Sequence, residues 1–254
     1  AISSEDMGEA IKEMMAEDDP LLRRKLFLAL LDELTPENAK DAFVAMLESR
    51  RGGRGGPGGR GGPGDSELSL LANAWGRIDG AGAVAALAEM RAEAEAEREA
   101  SGEERGPRGR GGPGGRDGGP GILAGVLAGW ATVDGGGAAA YVNGIEDQRE
   151  KQIAGFGVLR GMLVNGTDEA MAFIQSIPAT DDNGRTRTFY TSMVAGEMLE
   201  RGVEEAKSWV ATISDPELQG GAISRVVETL ARDDLEAAVE WVSQYAGNES
   251  AARA

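Results

Sequence analysis

The side chains whose types and spacing suggest chemistry here are arginines set among glycines: Arg54 and Arg60 in one stretch, Arg110 and Arg116 in another. Residues 52–64 read GGRGGPGGRGGPG, and residues 106–121 read GPRGRGGPGGRDGGPG. A non-glycine residue recurs at every third position through Arg54, Pro57, Arg60 and Pro63. The second stretch repeats this at Arg110, Pro113 and Arg116, then slips by one residue at Asp117. A period of three matches the polyproline-II helix, which would line arginines and prolines along one edge and leave the glycine edges free to pack. Three roles are open to such segments. Glycine-rich composition by itself gives a flexible linker. Triplets such as Arg51-Gly52-Gly53 and Arg60-Gly61-Gly62 have the form of RNA contacts, but those stack bases on interleaved aromatic side chains, and none is interleaved here. A basic arm beside an acidic body favours docking onto a protein, another copy of the chain included.

Little other chemistry is on offer. The chain has no histidine and no cysteine, which excludes disulfides, thiolate or imidazole catalysis and the usual zinc sites. No Walker motif, nucleophile elbow or convincing carboxylate pair is present. Gly155, Gly157 and Gly161 fall on an expected helix with no strand before it, so close helix packing explains them better than a dinucleotide site. Asp181-Asp182-Asn183-Gly184 resembles half of a calcium loop without its downstream glutamate, and reads as a turn with Asn-Gly supplying positive φ. No catalytic, cofactor-binding or metal-binding residue is therefore assigned, and the chain reads as a non-enzyme.

The charge balance points the same way. Forty-three acidic against 26 basic residues give a net charge of −17, unlike the basic face of a nucleic-acid-binding body. No apolar run reaches the roughly 18 residues that span a bilayer. A chain opening at Ala1 fits a mature exported protein, periplasmic or extracellular, or a trimmed one; otherwise a cytoplasmic protein is expected.

What must position any surface site is a repeated element. With Leu31, Trp75, Trp130, Met162, Met198 and Leu230 as anchors, six stretches align without a gap. Four residues before each anchor stand Phe27, Leu71, Val126, Val158, Val194 and Val226. Eight after it comes alanine every time, at 39, 83, 138, 170, 206 and 238, and twelve after it a large apolar residue. Anchor spacings are 44, 55, 32, 36 and 32, a period of about 32–36 with two insertions. Each unit reads as two amphipathic helices; in the last, Ile223, Val226, Val227 and Leu230 follow the i, i+3, i+4, i+7 rule. The alanine column faces the partner helix, where only a small side chain allows close approach. Asp19-Pro20, Asp215-Pro216 and Thr35-Pro36 have the cap-then-proline form of helix starts. The expectation is an all-α chain: one α-solenoid over 1–254 of about six helix-turn-helix repeats, with two Gly/Arg/Pro-rich insertions. Repeats are expected at 20–49, 66–100, 121–147, 150–178, 186–213 and 216–246, with a capping helix over 3–17 and inserted loops over 51–64 and 102–121. Residues 92–104 read as a solvated acidic extension of the second repeat.

These columns resemble a group of bacterial α-helical repeat proteins, mostly uncharacterised, whose unit runs Trp-Ala-x-x-Asp-x-x-x-Ala-Ala-x-x-Trp. Here the unit is carried by Trp130, Ala131, Asp134, Ala138 and Ala139, and again by Ala231, Asp234, Ala237, Ala238 and Trp241. The likeness is similar in kind to tetratricopeptide and HEAT arrays, without the tetratricopeptide consensus. It implies an exported or envelope-associated solenoid with no catalytic residues to carry over. The function expected is a scaffold that binds protein partners and assembles head to tail with itself, because the array stops after Tyr245 where a next helix would begin. Nucleic-acid binding through the Arg-Gly-Gly segments is the alternative.

Overall fold

The structure is a computed structural model, and it describes residues 2–52, 65–101, 120–245 and 247. The described residues are helical, with no strand among them: α1 (Ser4–Ala16), α2 (Pro20–Asp32), α3 (Ala39–Gly52), α4 (Asp65–Ser101), α5 (Pro120–Ala131), α6 (Gly135–Asn143), α7 (Gln148–Asn165), α8 (Thr167–Ser176), α9 (Asp181–Arg201), α10 (Val203–Thr212), α11 (Pro216–Asp233) and α12 (Leu235–Ser243). The chain divides into two compact units, Ala1–Gly161 and Met162–Ala254.

Helix starts follow from cap chemistry. Asp19 Oδ1 accepts from the Leu21 and Leu22 amides, and Asp215 Oδ1 from Glu217 and Leu218, each ahead of a proline at the first helical position. The residue four after the anchor then opens the second helix of a stretch in two ways. Asp79, Asp134 and Asp234 take φ from −140° to −150° and accept from the amide three residues on, at 2.8–3.0 Å. Gly166 and Gly202 stand at the same register position with φ of 145° and 152°, a region open to glycine alone. The chain therefore turns the same corner either with a side-chain cap or with a backbone that side chains cannot follow.

In the first unit, α1 seats Met7, Ile11 and Met14 against α2 and α3. Phe43 of α3 meets Trp75 of α4, ring centroids 5.3 Å apart. The α4–α5 contact is made by backbone: a Cβ on Gly76 would lie 1.9 Å from the Val126 carbonyl oxygen, and one on Gly129 would lie 1.9 Å from that of Asn73. Gly157 and Gly161 of α7 sit equally close to the Ala124 and Ala128 carbonyls of α5, the packing role expected of them. In the second unit, α9 packs against α8, α10 and α11, and α12 packs on α11 through Ala238 and Trp241.

The register predicts burial. The position four before the anchor is at most 1 % exposed in all six stretches, as is the alanine column. Burying the larger of these side chains stabilises by about 1.5–3 kcal/mol each.

Two local expectations are corrected. The Asp181–Gly184 segment is the first turn of α9, not a positive-φ turn, and the Gly184 amide donates to the Thr180 carbonyl at 2.9 Å. Thr35-Pro36 precedes a turn, and α3 begins at Ala39, because Asn38 Oδ1 accepts from the Thr35 amide and Asn38 Nδ2 donates to the Ile2 and Glu33 carbonyls. The second stretch keeps its helix pair: α4 holds two helices that meet at Asp79, whose φ of −150° and ψ of 76° are non-helical. Helix α3 also continues through Gly52 and α5 begins at Pro120, each reaching into an expected loop.

Candidate functional site

The four arginines expected to make contacts, Arg54, Arg60, Arg110 and Arg116, lie outside the described residues, as does most of both glycine-rich stretches. A groove of about 750 Å³ lies between α9 and α11. Arg185, Thr188, Phe189 and Ser192 form its α9 wall at i, i+3, i+4 and i+7. Glu217, Gly221 and Ser224 form the α11 wall. The two helices meet at its floor, where a Cβ on Gly221 would stand 2.9 Å from the Thr188 carbonyl oxygen.

One end of the groove is fixed by Arg187. Its guanidinium is buried, with side-chain exposure of 4 %, and is held by two carboxylates. Nη2 donates to Asp215 Oδ2 at 2.6 Å and Nη1 to Glu217 Oε2, while Nε has no partner among the described residues. The Arg187 carbonyl accepts from Thr191 Oγ1 at 2.9 Å. Partial burial alone would raise the Asp215 pKa; the Arg187 hydrogen bond and charge, with the Leu218 and Glu217 amides, outweigh it and hold that carboxyl below the usual value. Beneath the same surface Tyr190 stacks on Phe173 at 6.3 Å, and burial pushes its hydroxyl well above the ordinary tyrosine range.

Ser192 Oγ donates to its own helix at the Phe189 carbonyl, 2.7 Å away. Glu217 is engaged by Arg187. What the walls present outward is a half-exposed phenylalanine, a cation at Arg185 and several hydroxyls.

Sequence reasoning missed Arg187. The register did place Arg187 on an inward stripe, seven and eleven residues before Val194 and Met198, but it gave no sign of its partners. The tryptophans on the repeat columns are packing residues at Trp75 and Trp241, 2 % and 7 % exposed, and half-buried at Trp130 and Trp209.

Among the described residues no group of three or more acidic side chains is placed to hold a metal ion, and no helix is long and apolar enough to cross a membrane. Comparison with protein-family models, with curated proteins and with solved structures returned no match.

Proposed function

We propose that this chain is a non-catalytic helical-repeat scaffold: six copies of one helix pair forming a solenoid that presents its surface to protein partners and associates head to tail with other copies of itself. The observation that carries this reading is the equal burial of equivalent positions, four before and eight after each anchor, in all six stretches. A unit reused with the same packing devotes its apolar side chains to its neighbours, and its individuality is confined to exposed faces, insertions and ends. The Arg54, Arg60, Arg110 and Arg116 segments then act as cationic arms against acidic protein surface. The resemblance to bacterial repeat proteins brings an exported, envelope-associated setting into the same proposal.

Sedimentation velocity over a wide concentration range tests it. Mass should rise with concentration through species larger than a dimer. A strict monomer at the highest attainable concentration overturns the self-association.

A further inference from the structure

Two helices expose apolar side chains at register positions that are buried in several other stretches. Leu28 of α2 is 49 % exposed, whereas Ala72, Leu127, Leu159 and Ala195, three before their own anchors like Leu28, are fully buried. Val239 of α12 is 58 % exposed; at the matching position Val84 and Met171 are buried, Ala139 and Lys207 are half-buried and Lys40 is exposed. Leu235, 67 % exposed, stands where Gly80 and Gly135 are covered. Both helices thus carry a face of the kind that packs against a helix in several other stretches, and here it meets solvent.

The two faces have opposite charge. On α2, Leu21, Arg24, Lys25 and Leu28 lie on one side at i, i+3, i+4 and i+7, all exposed. On α12, Leu235 and Val239 form an i, i+4 stripe flanked by exposed Glu236 and Glu240. Among the described residues none of these four charged side chains enters an ion pair. The acidic 92–101 end of α4 carries no large apolar side chain and cannot bury the leucines. A complement to α2 needs acid and apolar groups together, and α12 has both.

We propose that the α2 face of one copy of this chain docks onto the α12 face of a second copy. Leu21 and Leu28 pack on Leu235 and Val239, and Arg24 and Lys25 pair with Glu236 and Glu240. The two surfaces differ, so the contact is heterologous and each bound copy still offers one free face, giving rings or open chains. One helix face on another is a small interface and the binding is weak. The proposal rests on the self-association proposed above and names the surfaces that produce it.

A charge swap tests it. One variant carries Arg24→Glu with Lys25→Glu, the other Glu236→Lys with Glu240→Lys. Each alone sets like charge against like, and its self-association should fall by about tenfold or more. An equimolar mixture restores complementary faces and should recover the wild-type mass distribution. Far-UV circular dichroism and melting should stay at wild-type values, because all four side chains are exposed. Leu28→Ser combined with Val239→Ser gives an uncharged second route and should weaken association without rescue in any mixture. Wild-type association in either charge variant alone, or a mixture no better than its components, overturns the docking while leaving self-association standing. A monomeric wild type overturns both.

Discussion

Where α4 meets α5, backbone lies on backbone: the paired approaches at Gly76 and Gly129 leave no room for even a methyl group. Where α9 meets α11, Gly221 again allows close approach, but a buried arginine is also clasped by Asp215 and Glu217. Both contacts join the first helix of one stretch to the first helix of the next. The first is held by shape, and its energy is dispersion and buried area. The second adds a charge that must be matched, so it depends on protonation. One register therefore tolerates two kinds of joint, because it constrains which stripe faces inward and not what fills it.

The largest expected effect comes from breaking the shape joint. Gly129→Val puts a branched side chain into the Asn73 carbonyl and should destabilise the first unit by about 3 kcal/mol or more, read as a lowered melting temperature by circular dichroism. Removing the charge at the other joint should cost somewhat less. A fully buried pair loses about 3–5 kcal/mol when one partner is deleted, but Asp215 and Glu217 keep 31 % and 38 % of their exposure and can rehydrate. Arg187→Ala should therefore cost about 2–3 kcal/mol in urea unfolding, with Arg187→Met recovering part of it by refilling the volume.

The smallest effect separates charge from capping. Asp215→Asn retains the helix cap and loses the ion pair, at roughly 1 kcal/mol near neutral pH. In the native chain Asp215 has a folded pKa below its unfolded value of about 3.9. Its contribution is present above about pH 4 and is lost as pH falls through the folded pKa. The difference in stability between wild type and Asp215→Asn, followed by unfolding at stepped pH, should shrink below pH 4. A constant difference would show that the carboxylate charge contributes nothing to the joint.

Much of this was legible from residue types alone. The alanine column, the apolar position before each anchor and the Asp-Pro caps depend on local spacing, and all are buried or bonded as spacing requires. The Arg187 clasp was not legible, because its partners lie 28 and 30 residues away on another helix and no local pattern links them. The helical start of α9 escaped because Asp-Asp-Asn-Gly suits a turn and a helix N-terminus equally, and tertiary contact decides between them. The arginines expected to make contacts, Arg54, Arg60, Arg110 and Arg116, lie outside the described residues.

Residue spacing was enough to set the described residues as helical, to place most of their caps and to choose which stripe of each helix turns inward. Periodicity and cap chemistry are properties of neighbours along the chain, and they act before any helix meets another. The tertiary structure alone decided which inward stripes find a partner. Leu28 and Ala195 hold the same register position, yet one is half in solvent and the other fully buried. Burial depends on what another helix brings to that position, which spacing within one helix does not encode.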